Sequence, residues 1–420
     1  MQLSIKNRLI FMSFMQFYVW GAWLITIGNY CSKTKDWTFS EFGAIFSTMG
    51  FAALFMPTIT GIVADRWVNA ERLYGILHFF GGLALAYIPF VDDPAMFFWV
   101  IFFAMICYMP TISLSNSIAY HVLKANECDL VKVFPPIRVW GTVGFIAAMW
   151  TTNLTGSKAT ANQFYIAAIA AIVLAIYAFT LPKCPPQGKT THSASWRETL
   201  GLNAFKLFGQ YKMLLFFLFS MLLGASLQLT NMYGDVYFSE FEKVPEYSKL
   251  WVVEHSTIIM SISQISETLF ILAIPYFLKR FGIKQVMFIS MIAWVLRFGL
   301  LAYGDPADGL WMIVLSCIVY GMAFDFFNIS GSLFVETSVS PKIRSSAQGL
   351  FMMMTNGIGA ILGSYLSGVI IDKYFLLENG DKNWQPIWLS FAAYALVIAI
   401  LFAILFRHKH EPEKLETIQH

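Results

Sequence analysis

Charge is scarce in this sequence: Asp, Glu, Lys and Arg make up 13% of 420 residues, against the ~25% usual in soluble domains. Hydrophobic residues reach 57%, so a water-soluble fold would need an enormous core and almost no surface. The composition excludes a soluble protein and indicates an integral membrane protein. Cysteine is sparse as well. Cys31, Cys107, Cys128, Cys184 and Cys317 are scattered, odd in number and never spaced C-x-x-C, so neither a disulfide framework nor a metal site follows. The net charge of +3 is too small to suggest nucleic acid as a partner. Walker, H-E-x-x-H and G-x-S-x-G motifs are absent, which leaves direct ATP drive and a membrane-embedded hydrolase unsupported. No cofactor, metal or enzymatic activity is expected.

What the chain has is a succession of apolar runs. Hydropathy places spans at about 9–30, 42–64, 73–91, 96–122, 137–155, 163–182, 213–233, 255–278, 285–303, 310–334, 345–371 and 386–406, most of them near the roughly 20 residues that cross a bilayer. Lys6 and Arg8 precede the first run as in a signal peptide, but no A-x-A-like site ends it and eleven more runs follow. It reads as the first span. Of the 28 Lys and Arg residues, 20 fall on the side of the two termini and 7 on the other, with Arg297 inside span nine. By the positive-inside rule both termini are cytoplasmic.

The expected organisation is an N-terminal six-helix bundle over 1–182, a cytoplasmic linker over 183–212, a C-terminal six-helix bundle over 213–406 and a cytoplasmic tail over 407–420. The linker begins rich in Pro, Gly, Ser and Thr. Trp196, Leu200, Leu202, Phe205 and Phe208 in it suggest an interfacial amphipathic helix. The two halves echo one another. FPPIRVWGTVGF (134–145) and SPKIRSSAQGLF (340–351) stand 206 residues apart, each with I-R followed by Phe seven residues after Arg. GIVADRWVNAERL (61–73) and PYFLKRFGIKQVM (275–287) stand 214 apart. Repeats of this kind place a binding site near the membrane midplane, between the halves.

Two acids interrupt the apolar runs: Glu267 in span eight and Asp325 in span ten. A charged carboxylate near the bilayer centre costs ~2.5–3.5 kcal/mol even on the mildest scale, so it normally faces a protein-lined or wet cavity and marks a substrate or proton site. Other polar residues recur at helical spacing, each group projecting from one face. These are Gln16, Trp20 and Trp23 in span one; Arg138, Thr142 and Phe145 in span five; Gln228 and Asn231 in span seven. Ser261, Gln264 and Glu267 follow in span eight, and Tyr320, Phe324, Asp325 and Asn328 in span ten. Each stripe alone is compatible with helix-to-helix bonding or an interfacial aromatic belt. Together, amides, acids, one Arg and flanking aromatics suit a ligand with a flat ring and several hydroxyl or amide groups. His78 and His121 have no evident partner in the sequence and read as structural.

The loop after span two, with Gly61, Asp65, Arg66 and Arg72, resembles the signature loop of the major facilitator superfamily. In it, the Asp at a helix end can bind the amides of a neighbouring helix N-terminus as a conformational latch. More specifically, YVWGAWLITIGNY, FPPIRVWGTVGFIAAMW, FFLFSMLLGASLQLTNMYG, SISQISETLFILAIPYFLKRFGIK, WVLRFGLLAYGDP and IVYGMAFDFFNISGSLFVE resemble the nucleoside:proton symporters, a branch of that superfamily. The resemblance spans all twelve runs and is weakest at 30–40, 183–196, 238–254 and the tail. It implies an all-α membrane protein with the major facilitator fold, twelve helices in two pseudo-symmetric bundles. It further implies a monomer in the bacterial cytoplasmic (inner) membrane that imports nucleosides with protons by alternating access. By motif position it implies that Arg138, Thr142, Phe145, Gln228, Asn231, Gln264, Glu267, Tyr320 and Phe324 line the substrate site. Asp325, with Glu267 second and Arg138 as partner, would carry the proton. Left open beside it are a proton-coupled sugar or oligosaccharide importer of the same superfamily, a drug exporter and a non-transporting membrane receptor.

Overall fold

The computed structural model describes residues 3–186, 202–340, 343–378 and 380–408, and the described chain is nearly all helical. It divides into two compact units, Met1–Ser193 and Ala194–His420. The first holds α1 (Leu3–Gly21), α2 (Phe39–Arg66), α3 (Ala70–Tyr87), α4 (Pro94–Ala125), α5 (Leu130–Leu154) and α6 (Asn162–Ala178). The second holds α7 (Tyr211–Glu240), α8 (Ile262–Tyr303), α9 (Leu310–Ser338), α10 (Arg344–Met352), α11 (Ala360–Tyr374) and α12 (Trp384–Leu405), with a π-helical stretch, Met353–Gly359, joining α10 to α11.

Nine stretches of the described residues are helical, long and apolar enough to cross a membrane. One of them, Ser256–Tyr303, covers two predicted spans, and α8 within it breaks at Gly282, where φ is +77°. The apolar α6 is shorter, at 17 residues, and α1 has 19. Helix thus stands at each of the twelve predicted spans.

Local chemistry sets several helix starts. Before α2, Thr38 accepts a bond from the Glu41 amide (3.2 Å), and the Glu41 carboxylate accepts from the Thr38 amide (2.8 Å). This reciprocal pair satisfies two donors that a helix leaves open. Before α4, Asp93 accepts from the Met96 amide at 2.7 Å, and Pro94 fills the first helical position, where a missing N–H costs nothing. The helices bury one side and expose the other as apolar surface: Leu272 is 76% exposed, Ile176 65% and Ile404 63%. So much exposed Leu, Ile and Phe suits lipid rather than water.

Both units close-pack their first and fifth spans through glycine. A Cβ on Gly144 of α5 would overlap the Phe14 carbonyl of α1, and a Cβ on Gly224 of α7 would overlap the Thr355 carbonyl of the π-helical stretch. The internal repeat read from the sequence therefore has a packing counterpart. Its two arginines differ in surroundings. Arg344 pairs with Glu336 at 2.7 Å, whereas the Arg138 guanidinium lies 4.1 Å from the Phe17 ring centroid.

In the linker, Leu202–Gly209 forms a 3-10 helix, with Ala204 and Leu207 buried and Phe205 exposed. Trp196 and Leu200 of the expected amphipathic helix lie outside the described residues, as does most of the tail. The linker's start is held by Glu71, a buried acid at the head of α3. Its carboxylate accepts from the Cys184 amide (2.9 Å) and from Asn69 Nδ2 (3.0 Å), and the Ala70 amide donates to the Cys184 carbonyl (3.1 Å). Burial, with the Glu71 carboxylate adding to it, pushes the Cys184 thiol up to about 12.

Candidate functional site

In the N-terminal unit, α5 carries Arg138, Thr142 and Phe145 one helical turn apart. Arg138 and Thr142 are half-buried and Phe145 is buried. Gly141 leaves room for the Arg138 side chain, since a Cβ there would meet Arg138 Nη1 and the Phe17 ring. The guanidinium is thus stacked on an aromatic face, an arrangement suited to its planar, delocalised charge.

The stripe of span one has a different use. Gln16 is fully buried and donates to Thr111 Oγ1 (2.8 Å), while its side-chain oxygen accepts from the Tyr74 hydroxyl (2.6 Å) and bonds His78 Nε2 (2.9 Å). The Tyr108 hydroxyl donates to the Gln16 carbonyl at 2.7 Å. This polar knot joins α1, α3 and α4, so Gln16 belongs to the interior of the unit. It also gives His78 the partner that could not be read from sequence. Trp23 is buried beside the same knot and lines a cavity of about 10 Å³ with His78, Tyr108, Gly81 and Gly82.

In the C-terminal unit, the predicted residues come from three helices. Gln228 and Asn231 lie on α7, Gln264 and Glu267 on α8, and Tyr320, Phe324 and Asp325 on α9. Gln228, Tyr320 and Asp325 are buried; Asn231, Gln264, Glu267 and Phe324 are half-buried. The rings of Tyr320 and Phe324 stack with centroids 6.5 Å apart and planes 13° apart. Glu267 and Asp325 are within electrostatic range of each other and of Tyr320. Among the described residues, three of these predicted side chains keep a buried acceptor atom without a hydrogen-bond partner: Gln228 Oε1, Gln264 Oε1 and Asp325 Oδ2. A buried acceptor without a partner costs about 1–3 kcal/mol, so a ligand presenting several N–H or O–H donors fits this set. Phe324 and Asn328 also line a cavity of about 20 Å³ with Gly224, Trp294 and Asn356.

Two charged residues escaped the sequence reading as site candidates. Arg297, fully buried on α8, is bonded to Thr230, Ser263 and the Ser316 carbonyl and lies 4.6 Å from the Tyr320 ring centroid. Its position inside an apolar run was the available signal. Asp235 of α7 is fully buried and accepts from Ser256 Oγ at 2.6 Å. It falls just past the hydropathy boundary of span seven, which hid it. At the loop after span two, Asp65, Arg66 and Arg72 are exposed and Gly61 is half-buried; the buried acid of that loop is Glu71.

A family model described as nucleoside H+ symporter matches residues 2–411. The nucleoside permease NupG of Escherichia coli is 49% identical over 421 residues, covering 100% of both chains. The xanthosine permease of the same organism is 50% identical over 415 residues, covering 99% of each. A crystal structure of the nucleoside transporter NupG superposes with a TM-score of 0.90 at 50% identity, covering 97% of this chain and 100% of that one. A peptide transporter of the POT family matches in fold alone, with a TM-score of 0.72 at 13% identity. The chain has the major facilitator superfamily fold, and it belongs to the nucleoside H+ symporter family.

Proposed function

We propose that this protein imports nucleosides together with protons by alternating access across the bacterial cytoplasmic membrane, as a monomer with both termini in the cytoplasm. The observation that carries the reading is that three helices of one unit bring acceptors without a partner among the described residues, on Gln228, Gln264 and Asp325, and that α9 adds the stacked Tyr320 and Phe324 rings. A nucleoside supplies what that set asks for: ribose hydroxyls and base N–H groups as donors, and a flat base for the rings. The relatives, a nucleoside permease and a xanthosine permease, support the same substrate class.

In this reading Glu267 and Gln264 bond the ribose hydroxyls, and Gln228 and Asn231 reach ribose or base. Phe145, Tyr320 and Phe324 pack on the base, with Thr142 and Arg138 completing the polar lining. Asp325 carries the transported proton, with Glu267 the second candidate. An acid alternately near and far from a guanidinium such as Arg138 holds and releases a proton in turn. The exposed Asp65, Arg66 and Arg72, with Gly61, act as a conformational latch. Uridine binding to purified protein tests the substrate class: micromolar binding, blocked by thymidine and not by glucose or lactose, supports it. Displacement by the sugars and not by thymidine would favour a sugar importer.

A further inference from the structure

We propose that Arg297 is a positioning residue for the nucleoside site, fixing Tyr320, Asn231 and Gln264 from behind; the inference rests on the function proposed above. Four contacts of this guanidinium fall on, beside or one helical turn from a residue assigned to the substrate. Its Nε donates to Thr230 Oγ1 at 3.1 Å, one residue before Asn231 on α7. Its Nη1 donates to Ser263 Oγ at 3.3 Å, one residue before Gln264 on α8. The same Nη1 donates to the Ser316 carbonyl at 2.8 Å, one helical turn before Tyr320 on α9. The carbon of the guanidinium lies 4.6 Å from the Tyr320 ring centroid. One rigid fork therefore ties together the three helices that carry the partnerless acceptors.

The cost of placing it there argues for a role. Arg297 is fully buried, all of these contacts are with neutral groups, and among the described residues its Nη2 has no hydrogen-bond partner. A buried cation held only by neutral groups is expensive, and packing alone would be served by Leu or Met. What a guanidinium adds is planarity, several donors in fixed directions and a face that stacks on a ring. Tyr320 is thereby clamped. The Trp294 ring stands perpendicular to it, with a centroid distance of 5.9 Å and an interplanar angle of 90°, and the Arg297 guanidinium lies against it as well. An immobile Tyr320 presents its ring to a base without first losing rotamer freedom, the kind of preorganisation that raises affinity.

The test is uridine binding to the purified full-length protein by calorimetry. Arg297→Lys keeps the charge but loses the planar fork, and should raise the uridine Kd about tenfold, the scale of coupling within one contact network. Combined with Tyr320→Leu the two losses should fall short of multiplying, because one of the three residues it positions is gone. Combined with Phe145→Leu, on the other unit, the two losses should multiply. A purely structural role would instead multiply with both. Thr230→Val with Ser263→Ala removes two of the guanidinium's bonds without altering a residue assigned to the substrate, and should also raise the Kd several-fold. It decides the matter if Arg297→Lys does not fold. Wild-type Kd in either variant, or full multiplication with Tyr320→Leu, overturns the positioning role. Failure of the unmodified protein to bind any nucleoside would overturn the proposed function itself.

Discussion

Asp325 keeps one carboxylate oxygen without a partner among the described residues although only 4% of the residue is exposed, inside a largely apolar helix. If this acid carries the proton, Asp325→Asn should bind uridine and exchange it across a membrane, yet fail to accumulate it when a proton gradient is imposed. Labelled-uridine counterflow and gradient-driven uptake, measured side by side, check this; retained accumulation would move coupling to Glu267 or elsewhere. For the ligand, Gln228→Ala with Glu267→Gln should raise the uridine Kd at least about tenfold, since a hydrogen bond contributes ~1 kcal/mol and one to a charged group more. Gln228, Gln264, Glu267 and Asp325 stand out in the sequence as candidates because a polar side chain in an apolar run is costly unless it meets a bonding partner or a ligand. Gln16 was equally visible and has a different role, bonding Thr111, Tyr74 and His78 inside its own unit. Helical spacing assigns a residue to a face but does not say which neighbour that face meets. For the same reason Arg297 could be counted as a charge in span nine without its contacts being foreseen.

At the scale of elements, the helices follow hydropathy closely and their ends follow capping chemistry, as at Thr38 and Asp93. What hydropathy does not encode is how closely two helices approach. Gly144 and Gly224 each face a carbonyl oxygen of the partner helix, so Gly144→Ala and Gly224→Ala force apart the first and fifth spans of their units. Overpacking of this kind typically costs about 1–3 kcal/mol, and against backbone rather than a mobile side chain the upper end applies. Thermal unfolding in detergent should show both variants less stable than the parent; an unchanged melting temperature for Gly224→Ala would contradict the close packing of α7 on the π-helical stretch. Asp235 shows the limit of boundary placement. Hydropathy ends span seven near 233, while α7 runs on to Glu240 and carries the fully buried Asp235 beyond that boundary.

Across the whole molecule, the two echoes in sequence read as a duplicated plan, and the chain divides into two compact units. The segment after the first unit is anchored at its start, where Glu71 accepts the Cys184 amide. With the Cys184 thiol pushed up to about 12, it is neutral near pH 7, and only the thiolate reacts readily. Cys184 should therefore resist maleimide at pH 7.5, and Glu71→Ala, which releases the anchor, should speed its labelling; rapid modification of Cys184 in the parent protein would contradict the anchored geometry. The anchor was not legible in the sequence because it joins residues 113 positions apart.

The central claim is that nucleoside movement is driven by protons, and uptake of labelled uridine into proteoliposomes under an imposed pH gradient tests it most directly. With acid outside, uridine should accumulate above its external concentration, and an uncoupler should abolish the accumulation. Uptake that only equilibrates and is indifferent to both gradient and uncoupler, or no uridine uptake by protein that is folded, would contradict it.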